Sequence, residues 1–148
     1  MIDAAQALAF GATLTCGVID ARTGFIPNRI TYPTFAAILT AAVFAGGVVV
    51  SLTGALCVGG ALLFLYLVTR RRGLGLGDVK LGVCIGAGLG PGAGMAALGA
   101  SFIAGGTVGS YLLLSGRAGR KDAVRFGPFL LVGVTASLLA QLLGWQLL

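Results

Sequence analysis

Long apolar runs separated by short polar segments organise this chain. The first run, residues 4–19, is broken only by Gln6 and small polar residues and ends at Asp20; with Ile2 and the interfacial zone it reaches membrane-spanning length. Residues 20–33, DARTGFIPNRITYP, hold two arginines, two prolines, a glycine and an asparagine, which predicts a loop where Pro27 and Pro33 limit any helix. No charge then occurs between residues 30 and 69. As helix that stretch would be about 60 Å long, twice the hydrocarbon thickness, so it predicts two spans. Their turn falls between Gly46 and Gly54, where glycine, serine and threonine cluster. The same arithmetic divides residues 81–116 at Gly90-Pro91-Gly92 and makes the helix before that turn short, starting in the preceding glycine-rich stretch or only partly exposed to lipid. A last run, residues 126–148, spans once. The pattern thus predicts an all-α polytopic membrane bundle of six transmembrane helices, a single domain over residues 1–148.

Composition supports a membrane setting and charge supplies an orientation. Hydrophobic residues make up 57% and charged residues 9% of the chain, with a mean hydropathy of +1.03, too little polarity for a water-soluble surface. A net charge of +6 would suggest nucleic acid in a soluble protein. Here the basic residues sit between apolar runs, so the expected partner is the lipid bilayer and not nucleic acid. Arg22 and Arg29 fall in the first loop, Arg70, Arg71, Arg72 and Lys80 in the third, and Arg117, Arg120, Lys121 and Arg125 in the fifth, which accounts for all ten. By the positive-inside rule these loops are cytoplasmic and both termini lie on the opposite side. The run of three arginines reads as a topology signal and headgroup anchor. MIDAAQALAF has no basic start and no clear cleavage site, which predicts a retained helix rather than a signal peptide.

Smaller features narrow the chemistry. Cys16, Cys57 and Cys84 share no metal-ligand or redox spacing and read as buried small apolar residues. Without histidine or glutamate no metal site is expected, and no cofactor. Glycines at four-residue spacing, Gly82, Gly86 and Gly90, then Gly105 and Gly109, predict close helix packing.

The topology places two of the four acidic residues, Asp20 and Asp78, at one membrane face, where a packed bundle could bring them together. Two carboxylates in one low-dielectric site cannot both ionise cheaply and hold one proton between them. One can then take a proton from an attacking water while the other gives one to a carbonyl oxygen. Simpler readings stand beside this. Asp78 could be a helix cap, and Asp20, at a helix C-terminus where the dipole opposes it, could pair with Arg22 or Arg29. Asp3 and Asp122 read as solvated charges, and Lys80 as tuning Asp78 or reaching for phosphates. The run GLGLG is no dinucleotide fingerprint, having no strand before it. A small proton- or cation-coupled transporter could use the same carboxylates, although none lies at the predicted midplane. A non-catalytic assembly scaffold would tolerate Asp78→Asn.

Three segments in order, DARTGFIPNRITYP at 20–33, GLGLGDVKLG at 73–82 and RFGPFL at 125–130, resemble the type IV prepilin peptidase family of membrane aspartic proteases. The resemblance covers nearly the whole chain and departs at Arg125, where a proline or small apolar residue is expected. It implies cleavage of prepilin-like precursors at the cytoplasmic face of the inner membrane, after a glycine that ends a short basic leader and precedes an apolar helix. It implies Asp20 and Asp78 as catalytic residues, and Gly75 and Gly77, with Lys80 nearby, as the active-site loop. Larger members carry a paired-cysteine segment with methyltransferase activity; its absence here implies a peptidase-only form, similar to those of Flp/Tad pilus systems.

Overall fold

The computed structural model describes residues 3–69, 74–115 and 126–144. Five helices follow in order: α1 (Ala4–Thr23), α2 (Asn28–Phe44), α3 (Val48–Val68), α4 (Leu76–Leu114) and α5 (Gly127–Leu142), with no strand among the described residues. The runs Arg70, Arg71, Arg72 and 117–125 lie outside the described residues, as do Gly73 and 145–148.

α4 is a folded-back element. Gly90 sits at φ 80° and ψ 176°, a backbone conformation essentially closed to other residues, and Pro91 follows it. A Cβ built on Gly94 would lie 3.3 Å from the Cα of Gly86, whereas eight residues of straight helix rise about 12 Å. The chain therefore reverses at Gly90 into two limbs, 76–89 and 91–114. Because the first limb ends at the reversal, the carbonyl of Ala87 in its last turn has no helical donor. The hydroxyl of Ser51 on α3 supplies one, donating at 2.8 Å. The expected turn at Gly90-Pro91-Gly92 is thus present, and the short helix before it begins at Leu76, inside the glycine-rich stretch.

The first limb is the axis of the bundle. Leu81, Cys84, Ile85, Ala87 and Leu89 on it are buried, as a helix apolar on every side must be. α3 lies along it at a separation that leaves no room for a side chain: a Cβ on Gly54 would collide with the carbonyl of Gly86, and one on Gly82 with Leu62. α1 crosses it where Gly88 meets Ala5 and Ala9, and α2 is tied to it where the Cys84 thiol donates to the Thr31 carbonyl at 3.3 Å. Lipid offers apolar groups no reason to leave it, so such contacts and hydrogen bonds hold the bundle together. Ser137 on α5 donates to the Ala93 carbonyl on the second limb at 3.0 Å and adds one more.

The five elements make six helical segments, because α4 consists of two limbs joined at Gly90; by length and composition α1, α3 and α4 are the three among the described residues apolar enough to cross a membrane, α5 being apolar but shorter. Several other expectations need correction. The loop expected over 20–33 shrinks to residues 24–27, because α1 runs to Thr23 and α2 begins at Asn28 with Pro33 inside it. The helix tolerates Pro33 because the bond it forfeits is to the carbonyl of Arg29, an exposed residue at the helix start. The α2–α3 turn lies at residues 45–47, at the early edge of the expected span. Of the cysteines, Cys16 and Cys84 are buried but Cys57 is exposed on the outer side of α3. Among the described residues nothing lies within 4 Å of a Cβ built on Gly109, and of the second glycine pair it is Gly105 that packs, against Phe126 and Phe129.

Candidate active site

Asp20 occupies the last turn of α1, four residues before Gly24, whose left-handed conformation (φ 68°) ends the helix and returns its N–H to the Asp20 carbonyl at 2.8 Å. The side chain is 7% exposed. Its partner is the N-terminus of α5 rather than Arg22 or Arg29: the backbone N–H of Gly127 donates to Asp20 Oδ2 at 3.1 Å. An amide at a helix start has no acceptor within its own helix and carries the positive end of the dipole. The unfavourable placement of Asp20 on α1 is thereby offset by a second helix.

Asp78 is the third residue of α4 and also 7% exposed. Its Oδ2 accepts from the N–H of Gly75 at 3.0 Å, and its own N–H donates to the Gly75 carbonyl at 3.1 Å. Half of the capping role is therefore realised. The other oxygen, Oδ1, is buried and makes no hydrogen bond among the described residues. An unsatisfied buried acceptor costs about 1–3 kcal/mol, so capping alone does not account for this carboxyl. Asp78 is also close enough to Asp20 to feel its charge. The two aspartates share one end of the bundle.

Ile26 joins the two segments that carry them. It is the buried residue of the 24–27 connection, and a Cβ on Gly77 would fall 2.8 Å from its Cβ. A residue six positions after Asp20 thus rests on the residue just before Asp78, with contact made possible by the missing side chain. Gly75 is exposed, and a Cβ there would stand 3.3 Å from Asp78 Oδ2. Lys80 does not face the carboxylates. Its Nζ donates to Asn28 Oδ1 at 2.9 Å and lies 5.1 Å from the centre of the Tyr32 ring, strapping α4 to the start of α2. Among the described residues, no group of three or more histidine, cysteine, aspartate or glutamate side chains could hold a metal ion.

The sequence pattern of the type IV leader peptidase family matches residues 7–110. That stretch contains both aspartates, the 24–27 connection and both limbs of α4 except its last residues. The chain belongs to the type IV leader peptidase family. It is 34% identical over 139 residues to the prepilin leader peptidase/N-methyltransferase of Burkholderia pseudomallei, in strains 1026b and K96243 alike. Those alignments cover 88% of this chain and 45% of the relative, so the chain spans a little under half the length of those leader peptidases. No solved structure matches it.

Of the residues expected from sequence, Asp20, Asp78, Gly75 and Gly77 come together, while Lys80 stands one contact away. Ile26, Asn28, Tyr32 and Gly127 escaped the sequence reading as individual residues. Each lies within or beside a segment that had drawn notice, but its role depends on which helix crosses it.

Proposed function

We propose that this member of the family is a membrane aspartic endopeptidase that removes the short basic leader of prepilin-like precursors. The observation that carries the reading is the pair of buried carboxyls, Asp20 from α1 and Asp78 from α4, each held by one backbone amide, with Asp78 Oδ1 left without a partner. One carboxyl holds a proton and the other is ionised, since two like charges in a buried site are costly. The ionised carboxylate takes a proton from water as its oxygen attacks the scissile carbonyl. The protonated carboxyl gives its proton to that carbonyl oxygen, forming a tetrahedral gem-diol. Collapse returns the carbonyl, breaks the C–N bond and delivers a proton to the leaving amine. The inventory matches: two carboxyls, water, and no requirement for a metal or cofactor.

The charges at this end support placing the site at the cytoplasmic face of the inner membrane. Arg22 and Arg29 flank the 24–27 connection and are exposed, and Lys80 reaches Asn28 beside it, so three basic residues border the site. A helical peptide bond is shielded from attack, so the precursor must present an extended segment at the membrane boundary. Exposed Gly75 gives it a surface without side chains to lie against. A scaffold would have no use for two buried aspartates at one end of the bundle, and a transporter would place ionisable groups deeper in it.

The test is cleavage of a prepilin-like substrate in proteoliposomes by wild type, Asp20→Asn and Asp78→Asn, with EDTA present and folding verified. Each variant is expected to lose at least about a thousandfold in kcat. Near-normal cleavage by either folded variant would refute the dyad.

A further inference from the structure

We propose that Gly127 is a positioning residue of this site. Its backbone amide orients the Asp20 carboxylate, and its missing side chain is what allows the two to meet. The inference rests on the reading of Asp20 as a reacting group, and it concerns a segment beyond residues 7–110, where the family match ends.

Gly127 opens α5, so its N–H is one of the donors that the helix itself cannot satisfy. Asp20 Oδ2 takes it in a buried bond between residues 107 apart in sequence. The fit is too close for any other residue: a Cβ at position 127 would lie 2.6 Å from Asp20 Oδ2, 2.8 Å from its Cβ and 3.0 Å from its Cγ. α1 makes a matching concession. A Cβ on Gly17, one turn before Asp20, would stand 3.3 Å from the Gly127 carbonyl. The two backbones meet at a pair of glycines on either side of the hydrogen bond.

The start of α5 is also fixed from its other side. The ring of Phe126 packs against Phe102 on the second limb of α4 at 5.0 Å and against Phe129 at 6.4 Å. Pro128, in the first turn, is preset for helical backbone geometry and gives up an amide the helix would not have used. Residues 126–128 thus form a rigid seat for Asp20. Asp78 takes its amide from Gly75, just before its own helix, Asp20 from the start of a distant one. The site is therefore complete only when α5 has docked, with three helices rather than two contributing to its geometry.

The decisive variant removes the donor without adding bulk: an ester in place of the amide at residue 127, with glycolic acid inserted for glycine by nonsense suppression. An ester at residue 129, which deletes an ordinary first-turn bond to the Phe126 carbonyl, controls for backbone weakening. Gly127→Ala adds the steric test, and should it fail to fold, the ester still decides. Two readouts are taken: cleavage kinetics, and the isotope-edited infrared band of the Asp20 carboxyl, identified by its disappearance in Asp20→Asn. The ester at 127 is expected to move that band and lower kcat about 10- to 100-fold with KM nearly unchanged, while the ester at 129 does neither. An unmoved Asp20 band, or wild-type kcat in the 127 ester, overturns the positioning role. If the band moves but Asp20→Asn itself cleaves as well as wild type, the contact is real and the reading of Asp20 as a reacting group is what fails, taking the positioning role with it.

Discussion

Gly77→Ala is the most informative single change to the register of the two aspartates. The added Cβ would fall 2.8 Å from Ile26 Cβ and 3.3 Å from its Cγ1 and Cδ1, against an optimum of about 3.5–4.0 Å between carbons. The 24–27 connection must therefore withdraw by roughly 1 Å, because the Cβ of Ile26 is tied to the backbone and cannot rotate away. Overpacking of this kind costs about 1–3 kcal/mol, and the helix propensity of alanine over glycine in the first turn of α4 returns up to about 1 kcal/mol. Net stability should fall by about 0–3 kcal/mol, small enough for the protein to remain folded. Catalysis should suffer more, because a displacement of about 1 Å between reacting groups is worth on the order of a hundredfold in rate. Ile26→Ala relieves the Cγ1 and Cδ1 contacts but keeps the 2.8 Å one, so the double variant should regain only part of the loss. The assay is kcat/KM for a prepilin-like substrate in proteoliposomes, beside thermal unfolding in the same lipid. Wild-type kcat/KM in Gly77→Ala would show that the Ile26–Gly77 contact does not set the spacing of Asp20 and Asp78.

Ser51→Ala leaves the Ala87 carbonyl at the end of the first limb without its hydroxyl donor; destabilisation by about 0.5–2 kcal/mol is expected in reversible unfolding from mixed micelles, and no loss would mean another donor takes over. Lys80→Met and Asn28→Ala break the same strap between α4 and α2. Each should cost at most about 1 kcal/mol at this partly exposed site, and the double variant no more than the larger single one. Additive losses in that double-mutant cycle would show that the two side chains act separately.

Several features were legible in order along the chain because each depends on local composition. Uncharged stretches too long for one span had to fold back, glycine and proline at 90 and 91 marked where α4 does so, and the absence of histidine and glutamate narrowed the chemistry to aspartate. Turn boundaries were less legible. Prolines 27 and 33 look alike in sequence, yet one caps α2 and the other lies inside it, since the penalty for a proline depends on whether the carbonyl it strands can be solvated. The exposure of Cys57 was equally hidden: a thiol in an apolar run can face lipid or protein, and only the packing of α3 against Gly82 and Gly86 determines which side is inward.

The site divides in the same way. Sequence by itself determined that this is an α-helical, membrane-type chain, and that Asp20 and Asp78 are carboxylates at the ends of apolar helices, because hydropathy and charge are summed along the chain. Only the tertiary structure decided what those carboxylates meet. Gly75 serves Asp78 from just before its helix, Ile26 packs on Gly77 beside it, and the amide of Gly127, far along the chain, holds Asp20 itself. Contacts of that kind are fixed by which backbones approach closely enough to leave no room for a side chain, a property of helix pairs rather than of any one segment.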